Sequence, residues 1–162
     1  MRWSLRPGRP EDAAALLRVS QAGFETYRSF APPGWQPPDE AVWEERLGEE
    51  IADPTSFTHV ADGEDGVAGY VHWIRSVTPS RDGTTPALHL RMLFVMPPYW
   101  GTGVARELHD LAVAAMGGED ARLFTPEGQA RARRFYEREG WRLHEIFFED
   151  RLGLSLAEYR RP

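Results

Sequence analysis

The chain of 162 residues contains no cysteine. That excludes disulfides, thiolate zinc sites and any intermediate carried covalently on a cysteine. Lysine is missing too, so all 19 basic residues are arginine. A Walker A loop holds its phosphates with a Gly-Lys-Ser/Thr step, which argues against an ordinary P-loop nucleotidase or kinase. No window approaches the roughly 18 unbroken apolar residues of a membrane span. Met1 to Arg6 lacks the apolar region of a signal peptide. The expectation is a soluble cytoplasmic protein with no membrane partner. No Gly-x-Ser-x-Gly elbow is present to expose a serine nucleophile. The five histidines, at 59, 72, 89, 109 and 144, form no tight ligand pair, so no metal is expected. Net charge is −6, and arginines gather only at positions 131, 133, 134, 138, 160 and 161. Nucleic acid is therefore not an expected partner.

What is present suits one domain spanning residues 1–162, with 41% apolar residues to fill a core. Trp3 to Arg6 alternates as a short strand. Pro10, Glu11 and Asp12 suit a first helical turn, and Ala13, Leu16, Leu17, Ser20, Phe24 and Tyr27 recur at helical spacing. The prolines of residues 31–38 end that helix. A second helix over about 39–52 puts Trp43, Leu47 and Ile51 on one stripe opposite an acidic face. Phe57 to Ala61 and Val67 to Ile74 are strands joined by a hairpin turn. A strand over 87–95 leads through a glycine turn to a helix from Val104 to Met116, with Val104, Leu108, Leu111 and Ala115 as its buried stripe. Arg122 to Phe124 is a short strand. Thr125 caps the next helix, with Pro126 in its first turn, and Gly140 stops that helix. Trp141 to Phe148 and Leu152 to Tyr159 complete the strands. Two crossover helices are too few for a doubly wound sheet. The order fits a mixed α/β (α+β) sheet with helices on both faces.

The segment Val95-Met96-Pro97-Pro98-Tyr99-Trp100-Gly101-Thr102-Gly103-Val104-Ala105 joins a strand to a helix start through a Gly-x-Gly step. Glycines let backbone N–H groups turn toward one point, and the helix start adds partial positive charge there. Arg106 stands where a dinucleotide fingerprint needs its third glycine, and the strand comes late in the chain, so a Rossmann site is disfavoured. Downstream lies Gln129-Ala130-Arg131-Ala132-Arg133-Arg134-Phe135-Tyr136-Glu137-Arg138-Glu139-Gly140-Trp141. Together, and in this order, these two segments resemble the signatures of the GCN5-related N-acetyltransferase (GNAT) family. Trp100 stands where the family carries Gln or Arg, and Gln129 where Asn is common. Ala105 is an accepted variant.

The resemblance implies a largely antiparallel sheet of about six to seven strands, splayed in the middle. It implies acetyl-CoA or another short acyl-CoA as co-substrate, with no metal. The amides of Gly101, Thr102, Gly103, Val104, Ala105 and Arg106 would face the pyrophosphate, with added contacts from Arg106 and Arg131. Leu93, Phe94 and Val95 would border the pantetheine arm, and Gln129 would touch it. The reaction would be direct attack of a neutral amine on the thioester, with Tyr136 protonating the leaving thiolate. A backbone N–H near Leu93 to Val95 would polarise the carbonyl. Spacing alone favours Tyr136 as a core aromatic beside Phe135; the proton-donor role is what the resemblance implies. His72, His89, His144 and Glu145 lie on strands that could border an acceptor cleft, and none is assigned as the base. The Pro-rich loop with Trp35 reads equally as a wall of the acceptor site and as a rigid surface connection. The acceptor is a small-molecule or peptide amine, and a homodimer through the final strand is a further expectation. The competing reading is a non-catalytic acyl-CoA-binding regulatory domain.

Overall fold

Alternate residues of the central strands are buried on opposite faces, and each face packs on its own pair of helices. The computed structural model describes all 162 residues. It places α1 (Ala13–Glu25) and α2 (Glu40–Ala52) between β1 (Trp3–Pro7) and β2 (Phe57–Gly63) in the chain. Next come β3 (Gly66–Arg75), β4 (Leu88–Val95), α3 (Val104–Ala115), β5 (Ala121–Pro126), α4 (Ala130–Arg138), β6 (Arg142–Glu149) and β7 (Leu154–Arg161). Val60 and Tyr70 pack with Leu16, Val19, Leu47 and Ile51 of α1 and α2. Their neighbours Ala61 and Val71 turn the other way, toward Leu108 and Ala112 of α3. That period of two across a sheet fixes which helix covers which face. No helix is long and apolar enough to cross a membrane.

The seven strands run in the order β1-β2-β3-β4-β5-β7-β6. All neighbours are antiparallel except β4 and β5, which run parallel. That one parallel contact spans three pairs: Leu88↔Ala121, His89↔Arg122 and Leu90↔Leu123. Beyond Leu90 the two strands part. β4 stays registered on β3 out to Val95, and β5 stays registered on β7 out to Pro126. The sheet is therefore splayed at its centre, as the resemblance implied. At the closed end, buried Arg122 donates to Ser80 Oγ at 2.9 Å, and that hydroxyl donates to buried Glu158 at 2.9 Å. The loop between β3 and β4 is thus tied across the strands where they still pair.

Three local expectations are corrected. Thr125 and Pro126 do not start a helix. They extend β5, because Thr125↔Ala157 and Pro126↔Leu156 continue the ladder with β7, and α4 begins only at Ala130. Pairing to a neighbouring strand outweighs the local cap signal. The buried stripe of α3 is Val104, Leu108, His109 and Ala112, with Leu111 at the surface. It is rotated because the His109 Nε2 accepts a hydrogen bond from the indole of buried Trp141 at 2.9 Å. The final strand β7 is not an edge. It is held by β5 on one side and β6 on the other, so it has no free edge for a two-fold partner. The edge is β6, where Leu143, Ile146 and Phe148 are exposed.

Leu90 and Leu123, both buried, close the last pair before the splay. Leu123→Ala should lower stability by about 2–5 kcal/mol, the usual range for deleting a buried leucine side chain. Urea denaturation followed by circular dichroism measures it, and a loss below about 1 kcal/mol would show that this end of the cleft collapses around the gap.

Candidate active site

The splay opens a cavity of about 920 Å³ that runs between β4 and β5 from one face of the sheet to the other. Its geometry begins with the β4 backbone. Met96 N–H donates to Ala68 O at 2.7 Å, so Met96 and, two residues back, Phe94 direct their backbone groups at β3. Successive residues of an antiparallel ladder alternate in this respect. The backbone groups of Leu93 and Val95 therefore point the other way, toward the cleft where β5 has departed; the Val95 C=O is taken there by the Trp100 indole, and the Leu93 groups and the Val95 N–H are left open. Strand groups without a ladder partner need another one, and an extended amide-bearing ligand can supply it.

At the end of β4 the chain turns through Pro97–Tyr99 and reaches α3 by Gly101 and Gly103. Their φ values are +75° and +98°, and a Cβ at either would meet nothing within 4 Å. The constraint there is conformational, since only glycine adopts positive φ without strain. The left-handed turn leaves the N–H groups of Gly101, Gly103, Val104, Ala105 and Arg106 without a protein acceptor, and the first α3 bond runs from Glu107 N–H to Gly103 O. Five amides at a helix start form an anion site. Thr102 is a correction: its N–H is turned back on Tyr99 O at 3.3 Å, and its hydroxyl donates to the same carbonyl. Val104 contributes only its amide, since its side chain is buried under the sheet.

Leu93, Phe94, Val95, Gly101, Gly103, Ala105, Arg106, Gln129 and Tyr136 all border the cavity, whereas Thr102 and Val104 do not. Trp100, at the mouth, is half-exposed. Its indole donates to Val95 O at 2.9 Å, and the Arg131 guanidinium lies 4.1 Å from its ring centroid. In place of a side-chain donor to an anion, Trp100 thus anchors Arg131 beside the turn by cation–π attraction. Gln129 is already engaged, donating to Thr26 Oγ1 at 2.8 Å and bridging α4 to the end of α1.

Tyr136 projects from α4 and is buried against Phe135, Trp141 and Tyr159. It is a core aromatic, and it also lines the cavity. Its hydroxyl makes no hydrogen bond within the protein, and burial holds its pKa well above the ordinary phenol value. The phenol is therefore neutral across the physiological range.

The half of the cavity beneath α1 and α2 is aromatic. Phe24, Tyr27, Trp43, Phe94 and Phe124 face it, and Phe24 stacks edge-on against Trp43 and Phe94 at 5.4 Å. Tyr27, read from the sequence only as helix stripe, has its phenol pKa raised chiefly by burial, with Tyr136 as a lesser influence. Arg91 was missed altogether. It sits at a bulge, because Trp73 pairs with Leu90 while His72 already pairs with Met92. A lone charge between Leu90 and Met92 was the available signal.

Of the four residues named as possible cleft neighbours, only His89 lines the cavity. Burial first, and then the charges of Arg91 and Arg122, push its pKa well down, so it is a neutral imidazole. His72 is buried on Thr58 and Glu50, and His144 pairs with Asp82 at 2.7 Å at the surface. Glu145 lies on β6, away from the cleft. The Pro-rich loop is a strut more than a wall: the buried Trp35 indole donates to Leu152 O at 2.8 Å, and only Pro38 reaches the cavity. His109, Asp110 and Glu139 bring their ligand atoms within 4.8 Å of one another. Trp141 occupies the His109 Nε2 lone pair, so Nδ1 carries the proton and donates to Asp110 instead of offering a lone pair to a cation.

A splayed seven-stranded sheet with an anion-binding turn beside the opening defines an acetyltransferase fold of the acyl-CoA type. Residues 25–159 match the acetyltransferase (GNAT) domain family, and the chain belongs to that family. Solved structures with the same fold include histone acetyltransferase HPA2 and related acetyltransferase of Corynebacterium glutamicum, at 20% identity and TM-score 0.74 over 100% of this chain and 97% of that one. PaiA N-acetyltransferase of Thermoplasma acidophilum, solved in complex with coenzyme A, is 17% identical with TM-score 0.72 over 99% of this chain and 100% of that one. An acetyltransferase of Thermus thermophilus is 19% identical with TM-score 0.70 over 100% and 97%. No curated protein matches the chain.

Gly103→Ala isolates the turn, because its Cβ meets open space and only the φ of +98° is disturbed. We expect a stability loss of about 1–2 kcal/mol and coenzyme A binding weakened by about tenfold, some 1.4 kcal/mol. Calorimetric titration reads it. An unchanged Kd would mean that the turn amides do not hold the phosphates.

Proposed function

We propose that the protein transfers an acetyl or short acyl group from acyl-CoA to a primary amine, by direct attack on the thioester. The observation that carries this reading is the convergence, at one cavity, of the free turn amides of Gly101, Gly103, Ala105 and Arg106, the open backbone groups of Leu93 and Val95, and buried Tyr136. The pyrophosphate lies on the amides of Gly101, Gly103, Val104, Ala105 and Arg106, with Arg106 and Arg131 adding charge. The pantetheine arm follows Leu93, Phe94 and Val95 like an added strand, with Gln129 across from it. A relative of the same fold solved with coenzyme A supports this donor.

The amine arrives neutral, because an ammonium has no lone pair. Its nitrogen forms a bond to the thioester carbon while a β4 N–H stabilises the carbonyl oxygen. The C–S bond then breaks, and the thiolate takes the Tyr136 proton. The nitrogen's surplus proton leaves through water, and the tyrosinate regains one from solvent. The products are the N-acyl amine and coenzyme A thiol. No cysteine exists to carry the acyl group.

Tyr136→Phe keeps the ring packing and removes the proton. It should lower kcat by about 10²-fold and leave the Kd for coenzyme A unchanged. Because burial raises the pKa of Tyr136, its acid form persists through neutral and moderately alkaline pH. Any loss of activity from its ionisation should begin only above the ordinary phenol pKa of about 10. A wild-type kcat in the variant, with an acceptor the enzyme turns over, would remove Tyr136 from the chemistry.

A further inference from the structure

The acceptor half of the cavity carries a fixed positive charge that no element of the protein neutralises from the cavity side. Arg91 is largely buried, with its side chain 14% exposed, and it lines the cavity. It makes one long contact, from Nε to Glu50 Oε1 at 3.3 Å, and its guanidinium lies 5.9 Å from the Trp43 ring centroid. Neither Nη group has a hydrogen-bond partner in the protein and both keep some exposure, the side chain lying between the cavity and a shallow crevice it shares with Arg46 and Glu50. Glu50 is itself shared with Arg46 and His72. An arginine fork left open in this way matches a planar oxyanion.

His89 adds a second donor. Arg122 Nε points at its Nδ1 at 3.4 Å, so Nδ1 is the acceptor and Nε2 carries the proton. It has no protein partner at Nε2, and it borders the same cavity. Since β4 bulges at Arg91, His89 and Arg91 emerge close together on the face toward α1 and α2. Around them lie Phe24, Trp43, Phe94 and Phe124. The one carboxylate that lines the cavity is Glu139, on the α4 side beside Arg106. Nothing at the acceptor end would hold a second cationic group.

Resting on the acyl-transfer reading above, we propose that the acceptor is an amine bearing a carboxylate on an apolar or aromatic body, of the α-amino acid class, with the carboxylate seated on Arg91 and His89. One fixed charge suits a monoanion, where a phosphate dianion would call for two or more. The aromatic walls take the side chain, and the amine is left directed toward the thioester between β4 and Tyr136. Arg91 is thus a specificity-determining residue.

The test compares L-phenylalanine, L-phenylalaninamide and phenethylamine as acceptors, by thiol release from acetyl-CoA. L-Phenylalanine should have a kcat/KM at least about tenfold above the other two, the scale of one charge-assisted contact. Arg91→Met should remove that advantage, lowering kcat/KM for L-phenylalanine at least about tenfold more than for the amide or for phenethylamine. Equal or better use of the two acceptors without a carboxylate overturns the proposal, as does an equal loss on all three in the variant. A binding arm separates this idea from catalysis: N-acetyl-L-phenylalanine and N-acetyl-L-phenylalaninamide are titrated into the wild-type coenzyme A complex. Selective binding of the acid without any thiol release would sink the acyl-transfer reading and keep the carboxylate site. Turnover of phenethylamine with no preference for the acid would do the reverse, and failure of both ligands to bind overturns the site. If Arg91→Met does not fold, the wild-type comparisons decide alone.

Discussion

Everything at the centre of this molecule depends on a β4–β5 pairing that stops after three residue pairs. A parallel pair left open in a sheet is costly if its backbone groups stay dry and unpaired. Here the parted strands border a cavity of about 920 Å³, large enough to admit water or a ligand to those groups. β4 is registered on β3 on both sides of its bulge, and β5 is held by β7, so neither strand can relax toward the other. Arg122, Ser80 and Glu158 pin the closed end. The gap is therefore rigid. It provides in one feature a row of free amides on β4, a route through the sheet, and walls contributed by helices from both faces.

The two halves of the cavity offer different chemistry. The α3 side offers backbone amides, whose positions follow from two glycines at positive φ. An arrangement of that kind is insensitive to side-chain identity, which is why Trp100 is accommodated there without loss of the free N–H groups. The α1 side offers side chains: an aromatic box, a neutral imidazole and an arginine whose Nε alone is engaged. Changes there would alter what is accepted without touching the donor site.

That division explains what the sequence could and could not disclose. The glycine turn and the Phe135-Tyr136…Gly140 segment are contiguous, and their backbone consequences are local, so donor chemistry was legible before any fold was known. The aromatic half is assembled from α1, α2, β4 and β5, and no short window contains it. Arg91 in particular depends on a bulge that periodicity cannot reveal, since the alternation of β4 changes phase at that residue. Thr125 and Pro126 failed for a related reason: their local signal is that of a helix start, and only the distant β7 ladder makes them strand. The end of the chain was misjudged because its strand inserts between β5 and β6 instead of adding to the edge.

Charge placement then constrains the order in which the chemistry can run. The chain carries a net charge of −6, yet its cavity is lined by Arg91, Arg106, Arg131 and Arg138 against the single carboxylate of Glu139. The acidic residues of α2 face outward, apart from Glu50 behind Arg91. In the proposed reaction a field of this sign would draw in an anionic donor and disfavour an ammonium near the thioester. It would lower the pKa of an amine that has entered and so raise the neutral, nucleophilic fraction without a dedicated side-chain base. The same field would repel a purely cationic acceptor at the entrance. A carboxylate on the acceptor would cancel that repulsion, because the zwitterion would enter with no net charge and be oriented by Arg91, while its amine would still meet the positive surroundings that favour loss of its proton. On the proposed reading, substrate selection and activation of the nucleophile follow from one arrangement of charge.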